Sequence, residues 1–372
     1  ALPISTLFVL TRLIKVNKLW KVPREAARIS AWSFILAWLS LLIAVILLYI
    51  ATGDWYIYSN MSDDNAINYG MRLCINLLIV LAVIIPAAQF PFQGWLIESV
   101  AAPTPVSAIM HAGIVNAGGV ILTRFSPVFN DEIAISLLLI IASISVLLGS
   151  GISLVHVDYK RQLVGSTISQ MGFMLVQCAL GAYSAAIVHL ILHGVFKATL
   201  FLQSGSVVKR FNIPTPPSVK KSYGWLVFGR LLAILIAIIF WLNSDRHAYD
   251  VLSALILAWS LMVSWNQLVA FSHGLIGRVI GVCMIIVVVI VYIITHHYFF
   301  TTLSNVDIHI VSPPLISIIL SIAIIVFGSM LSIWVSRRRE SKAFAKLYLW
   351  LIKVGEAKTQ SIESHPSYLK RF

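Results

Sequence analysis

Long apolar runs separated by short polar breaks recur along this chain at the length of a membrane crossing. A helix needs about 20 predominantly apolar residues to cross the hydrocarbon of a bilayer. Reading between the breaks gives about ten full candidates of that length. They lie near 30–51, 71–90, 104–126, 132–156, 164–181, 184–208, 223–242, 250–270, 276–296 and 311–335. Helices are the expected form, because an open sheet cannot satisfy its backbone in lipid and the runs are too long for barrel strands. The run at 2–14 is too short for a crossing and reads as the tail of a helix beginning upstream. A very tight turn at Gly181-Ala182-Tyr183 joins the fifth and sixth candidates. The fold class expected is an all-α, polytopic membrane bundle.

Composition agrees: 59% of residues are hydrophobic and 11% are charged, where a soluble domain carries about a quarter charged residues. The net charge of +13 would suit a nucleic-acid binder, but its distribution has another cause. Most of the 27 basic residues fall in alternate connections, among them Lys15, Lys21, Arg28, Lys160, Arg161, Lys209, Arg210, Lys220 and Lys221, and in the tail from Arg337 to Arg371. The opposite connections hold Arg72, Arg124 and Arg246. Such a bias marks the cytoplasmic side, which predicts a cytoplasmic C-terminus and removes the need for a nucleic-acid partner. The expected organisation is a transmembrane domain over 1–336 and a cytoplasmic amphipathic tail over 337–372. Within the tail, Phe344, Leu347, Leu349, Trp350 and Leu351 interleave with Lys342, Lys346 and Lys353. That pattern suits a helix lying on the membrane face or docking on a partner. Cys74, Cys178 and Cys283 stand singly in apolar runs and read as small buried hydrophobes.

Lys197 and Arg230 are the two basic residues deep inside predicted spans; Arg72, Arg124, Arg278, Glu132 and Asp250 stand at span ends, and no carboxylate lies deeper. Ionisable groups at membrane depth are costly and point to function. His189, His193 and Lys197 are spaced i, i+4, i+8 and so share one helical face over two turns. Imidazole titrates near neutrality and can accept and pass a proton, and a buried lysine changes protonation state readily. A lone histidine there is better explained by a hydrogen bond between packed helices. Three ionisable groups in register favour a proton path. His111 extends the theme: Thr104, Ser107 and His111 recur at helical spacing behind a Pro103-Thr104-Pro105 helix start. Zinc at His189 and His193 is disfavoured, since no third ligand is visible in the spans. Arg230 lies near a span end and could snorkel to water. Gly118-Gly119 and Gly149-Ser150-Gly151 fit close helix packing better than a nucleotide loop. No cofactor site is read.

The stretch Gln89-Phe-Pro-Phe-Gln-Gly-Trp through Pro103-Thr-Pro105 and His111-Ala-Gly-Ile-Val-Asn-Ala-Gly-Gly119 carries a family resemblance. With Asp158-Tyr-Lys-Arg161, Ser169-Gln-Met-Gly172, His189-x3-His193-x3-Lys197 and Ser204-Gly-Ser206, it resembles the antiporter-like core of respiratory complex I and Mrp antiporters. The flavour is most similar to the DabB (MpsA) branch, membrane subunits of two-component inorganic-carbon uptake systems. These motifs cover about 85–210. The resemblance implies inverted five-helix repeats with broken helices at the midplane, with Pro91, Pro103 and Pro105 as their breaking elements. It implies an ion path through His111, His189, His193 and Lys197, with Ser107 and Arg230 as further candidates. It also implies a soluble DabA partner resembling a zinc carbonic anhydrase, and a bacterial cell membrane as location. Proton or sodium flow would then drive carbon dioxide hydration or bicarbonate delivery, which makes the chain a transporter subunit rather than an enzyme. The alternative sharing the same core is an Mrp-type cation/proton antiporter or a proton-pumping quinone oxidoreductase subunit. Three features depart from the family pattern. Pro86 stands where a lysine is usual, the early-helix glutamate has no counterpart, and the second-half lysine has no clear match apart from Arg230.

Overall fold

A computed structural model of the chain describes residues 21–53, 67–204, 223–242, 314–337 and 340–357, with isolated positions at 14, at 55 and between 251 and 298. The spans expected at 250–270 and 276–296 therefore lie outside the described residues apart from scattered positions, the longest run being 282–287, as do the opening run beyond one residue and the last residues of the tail.

The described elements are all helical. Two long helices come first, α1 (Lys21–Thr52) and α2 (Tyr69–Ile84). A short piece, α3 (Gly94–Glu98), leads through a 3-10 turn at Ser99–Ala101 into α4 (Thr104–Ala112). A second 3-10 turn, Ile114–Asn116, separates α4 from α5 (Ala117–Arg124). Then follow α6 (Glu132–Val155), α7 (Tyr159–Ala179), α8 (Tyr183–Ser204), α9 (Tyr223–Leu242), α10 (Leu315–Arg337) and α11 (Lys342–Gly355).

Local chemistry sets the ends of these helices. Asp131 caps α6 by accepting from the Ile133 and Ala134 amides, and Asp158 caps α7 by accepting from Lys160 N. That cap starts α7 five residues before the expected boundary. Likewise α1 runs into the basic segment from Lys21, with Pro23 tolerated in its first turn. The α7–α8 turn closes as a Schellman motif: Ala182 N donates to Gln177 O, Gly181 N donates to Cys178 O, and Gly181 takes φ 81°. Only glycine adopts that conformation without strain.

Among the described residues, four stretches, Pro23–Thr52, Thr104–Arg124, Glu132–Val155 and Ala185–Ser204, are long and apolar enough to cross a membrane. Two expected spans are interrupted. The run 71–90 leaves the helix at Ile84, ahead of Pro86, whose nitrogen has no hydrogen to donate. The run 104–126 is broken after His111 and Ala112 by Gly113 and the 3-10 turn.

The chain forms two compact units, Ala1–Val207 with Ile308–Phe372, and Val208–Asp307. In the second, Trp265 packs against Leu232, Val282 and Ile285, and a Cβ on Gly229 would sit 2.0 Å from its ring. The first is built on the antiparallel α6–α7 hairpin, against which α10 and α11 also pack. There Gly149 and Gly165 face each other so closely that a Cβ on Gly149 would lie 2.4 Å from Ser169 N and 2.6 Å from Gly165 O. Small residues permit such approach where lipid supplies no hydrophobic drive, and Ser150 and Ser169 bond across it at 2.8 Å. The amphipathic α11 docks on the α6 end. Leu351 covers Gly151, Tyr348 Oη reaches Val155 O at 3.5 Å, and Gly355 rests on the buried His156 ring.

Two outcomes follow. Gly149→Ala should lower the Tm of the purified protein in detergent by the equivalent of about 1–3 kcal/mol, because the obstructing atoms are backbone. Gly70→Ala, where a Cβ meets nothing within 4 Å, should leave it unchanged. Burial holds the His156 imidazole below its usual pKa of 6.5, with Arg161 acting in the same direction and Glu356 and Asp158 opposing. The docked state therefore prefers neutral His156. Its contribution is complete above pH 6.5, where the detached state is also neutral, and falls as the pH drops below 6.5 toward the lowered value. Amide exchange in α11, corrected for intrinsic rates, should be faster at acid than at neutral pH, and His156→Gln should flatten the difference.

Candidate functional site

The row at His189, His193 and Lys197 faces α7, and each side chain meets a polar partner there. Lys197 Nζ donates to Ser166 Oγ at 2.8 Å and to Leu163 O at 3.3 Å. His193 Nδ1 lies 2.8 Å from Gln170 Oε1. His189 Nδ1 lies 3.1 Å from Gln177 Oε1. Three rungs therefore cross the α7–α8 interface. Ser166, Gln170 and Gln177 fall at i, i+4 and i+11, which is one face of α7. Lys197 is entirely buried, at 0% exposure, and both of its partners are neutral oxygens.

His111 enters the same assembly from α4. Its Nδ1 sits 3.1 Å from Thr167 Oγ1, and Thr167 donates in turn to Leu163 O at 2.9 Å. The threonine proton is thus committed, so it accepts from the imidazole, and His111 carries its proton on Nδ1. Nε2 is left as a bare lone pair, buried and without a hydrogen-bond partner. The ring stacks on Phe201 at 4.2 Å. Leu163 O is a shared acceptor, taking both Thr167 Oγ1 and Lys197 Nζ. The His111 carbonyl closes the circuit, lying 3.1 Å from His193 Nε2.

The break in the 104–124 segment makes this contact possible. Asn116 N donates to Gly113 O in the 3-10 turn, and the Ala112 carbonyl instead takes the Asn116 side-chain amide at 2.7 Å. Gly194 lets α8 approach there: a Cβ on it would meet Ala112 O at 3.0 Å. His193, the next residue, thereby reaches the His111 carbonyl.

The partners are amphoteric, and that sets the chemistry. A glutamine offers an oxygen to an N–H or, turned over, an amide to a lone pair, and hydroxyls do both. His193 faces Gln170 on one nitrogen and a carbonyl on the other. With Gln170 donating it is satisfied as neutral imidazole; with Gln170 accepting it is satisfied as imidazolium. The row can hold or lose a proton without leaving an orphaned partner. The His189 and His193 rings stand 6.1 Å apart, too far for a direct bond, so transfer between them takes a ring rotation or a bridging water.

Among the other residues singled out from sequence, Ser107 is buried and donates to Ala102 O at 3.4 Å, placing it one turn from His111. Pro103 caps α4, and Pro105 lies in its first turn. Both open the helix, whereas its interruption falls at Gly113–Asn116. Pro91 follows the turn that ends α2, beside Gln89, whose amide donates to Ala87 O and Ile168 O. Pro86, where the resemblance places a lysine, is buried at the end of α2. Arg230 lies on α9 in the second unit, with its side chain exposed. The residues missed as partners are Gln170, Gln177, Ser166 and Thr167. Their helical spacing on α7 was the available signal.

Comparisons with known proteins bear on the chain as a whole. The family model described as NADH:quinone oxidoreductase/Mrp antiporter, transmembrane, matches residues 5–281. A probable inorganic carbon transporter subunit DabB of Bacillus subtilis is 56% identical over 370 residues, spanning 99% of this chain and 73% of that protein. One from Bacillus anthracis is 53% identical over 368 residues, spanning 98% and 72%. Among solved structures, a chain of the Mrp complex from Dietzia sp. DQ12-45-1b aligns with a TM-score of 0.53 at 22% identity. That alignment covers 95% of this chain and 38% of that one, and shows likeness of fold alone.

Replacing Gln170 by leucine should destabilise the protein by about 1–3 kcal/mol in chemical or thermal unfolding, because buried His193 loses a partner. Gln170→Asn or Gln170→Glu should retain part of that stability. Gln177→Leu should cost less, since His189 is only half-buried.

Proposed function

Because this chain belongs to the NADH:quinone oxidoreductase/Mrp antiporter transmembrane family, within its DabB branch of inorganic carbon transporter subunits, we propose that it conducts protons for an energy-coupled inorganic-carbon uptake system in a bacterial cell membrane. Its partner in this reading is a soluble zinc subunit of the DabA type, resembling a carbonic anhydrase, which hydrates carbon dioxide or delivers bicarbonate. The carrying observation is the three-rung ladder: His189, His193 and Lys197, each held by a neutral partner, with His111 joined to them through Thr167 and the Leu163 carbonyl.

The arrangement favours H+ over Na+. A sodium ion wants several converging oxygens, whereas this row presents imidazoles and an ammonium, which would repel a metal cation unless deprotonated. A proton entering at His111 can take the bare Nε2. Its charge then weakens the hold of neighbouring Lys197 or His193 on their own protons, and the rungs adjust by turning Gln170 or Gln177. Net movement follows from the order in which these groups meet water at the two ends. By the positive-inside rule the α6–α7 turn and α11 lie on the cytoplasmic side.

The test is growth in air of a carbonic-anhydrase-deficient bacterium carrying this chain with its DabA-type partner. The pair should restore growth and either member alone should not. His193→Ala and Lys197→Ala should each abolish rescue with the amount of membrane-inserted protein unchanged. Full rescue by the double variant would exclude the row as the conducting element. Sodium/proton antiport by this chain, with no effect on growth in air, would move it to the antiporter reading.

A further inference from the structure

We propose that Lys160 is a positioning residue that gates the mouth of the polar row: its ammonium pins the Ala102 carbonyl, and breaking that bond admits water to Ser107 and then to His111. The sequence gives Lys160 an ordinary role, one of two cations in a connecting turn that set topology. Such a lysine would be expected to extend into water. Here it is half-buried, and Nζ donates to Ala102 O at 3.1 Å across 58 residues of sequence.

Several features make this bond more than a surface contact. Ala102 caps the 3-10 turn at Ser99–Ala101, and its carbonyl is the last polar group before Pro103 starts α4. That same carbonyl accepts from buried Ser107 Oγ at 3.4 Å. Ser107 stands four residues before His111, one helical turn along the same face. Lys160, Ala102 O and Ser107 are joined by hydrogen bonds, His111 follows one turn further on the same face, and Lys160 is the outermost member of the series. Its place in the first turn of α7 is also electrostatically unfavourable for a cation, because the helix N-terminus carries positive partial charge. Asp158 caps that terminus and pairs with Arg161 at 3.7 Å, while the Lys160 ammonium turns to the end of the facing 3-10 turn, where carbonyl charge is negative. The titratable groups that feel it are Asp158, on its own turn, and His111, at the inner end of the series.

The inference rests on the proton-path reading for its consequence but not for its geometry, and its test needs no transport. In a background carrying Cys74→Ser, Cys178→Ala and Cys283→Ser, Ser107→Cys supplies a single buried thiol at the mouth. Inside-out membrane vesicles holding the protein with its partner are treated with membrane-impermeant thiol reagents, one cationic and one anionic. With Lys160 present, labelling by both should be slow. Lys160→Ala should speed both by roughly tenfold or more, the size of effect that loss of one charge-assisted hydrogen bond produces. Lys160→Arg, which can still donate to Ala102 O, should keep labelling slow. Should the alanine variant insert poorly, Lys160→Met gives the same test with an unbranched side chain that has no donor. Unchanged labelling in an inserted Lys160→Ala or Lys160→Met protein would overturn the gate. So would faster anionic and slower cationic labelling relative to the unsubstituted vesicles, or the reverse, since that pattern reports only a changed field. Faster labelling in a complex that fails to support growth in air would uphold the gate and count against the uptake reading alone.

Discussion

An ammonium and three imidazoles sit among packed helices with no carboxylate from their own segments to balance them, and the surrounding architecture answers that constraint. Burying a polar group costs free energy unless it is hydrogen-bonded, and a charge costs far more. The answer is a set of oxygens and amides supplied almost entirely by α7. Ser166, Thr167, Gln170 and Gln177 serve Lys197, His111, His193 and His189 in turn. A carboxylate would bind the charge tightly and hold it. Neutral amphoteric partners satisfy either protonation state, which is the property a relay requires.

Helix α7 accordingly differs from its neighbours. It lies in the core of the first unit, yet its polar residues leave it less apolar than the four described stretches that are long and apolar enough to cross a membrane. It is held against α6 through Gly149 and Gly165, where backbone touches backbone and no side chain could intervene. That tight seam fixes the height and rotation of α7, and hence of the four partner side chains on its other face. The Schellman turn at Gly181 then returns the chain as α8 in the register that sets His189 opposite Gln177.

The interruption after Ala112 supplies the remaining connection. A continuous helix would spend its carbonyls on its own amides. The change to a 3-10 turn, with Gly113 and Asn116 at its edges, turns the His111 and Ala112 carbonyls toward side chains. The other end of α4 is tied in a similar way, with Ala102 O shared by Ser107 and Lys160. Nearby, Gln162 holds the His156 carbonyl at 2.7 Å while Gly355 of α11 lies over the His156 ring. Tail docking, the α6–α7 turn and the start of α4 are thus mechanically adjacent.

Much of this protein was legible in one dimension. Apolar runs of crossing length and the i, i+4, i+8 spacing of His189, His193 and Lys197 report long apolar helices and a shared helical face, because each follows from local geometry and solvent. The same holds for the tail helix, whose lysines and apolar residues alternate at helical period. Tertiary structure alone decided what that face meets. Gln170 and Gln177 look unexceptional in sequence, because a glutamine in a helix acquires its role from the atom opposite it. Lys160 read as one more topology charge until folding bent it inward to a carbonyl 58 residues away. The site of the break was also misplaced when inferred from prolines. Pro103 and Pro105 are well suited to begin a helix, and the interruption formed where Gly113 and the Asn116 side chain could satisfy the released backbone. Periodicity along a chain encodes which residues stand together on an element. The pairing between elements depends on long-range contacts that no local pattern contains.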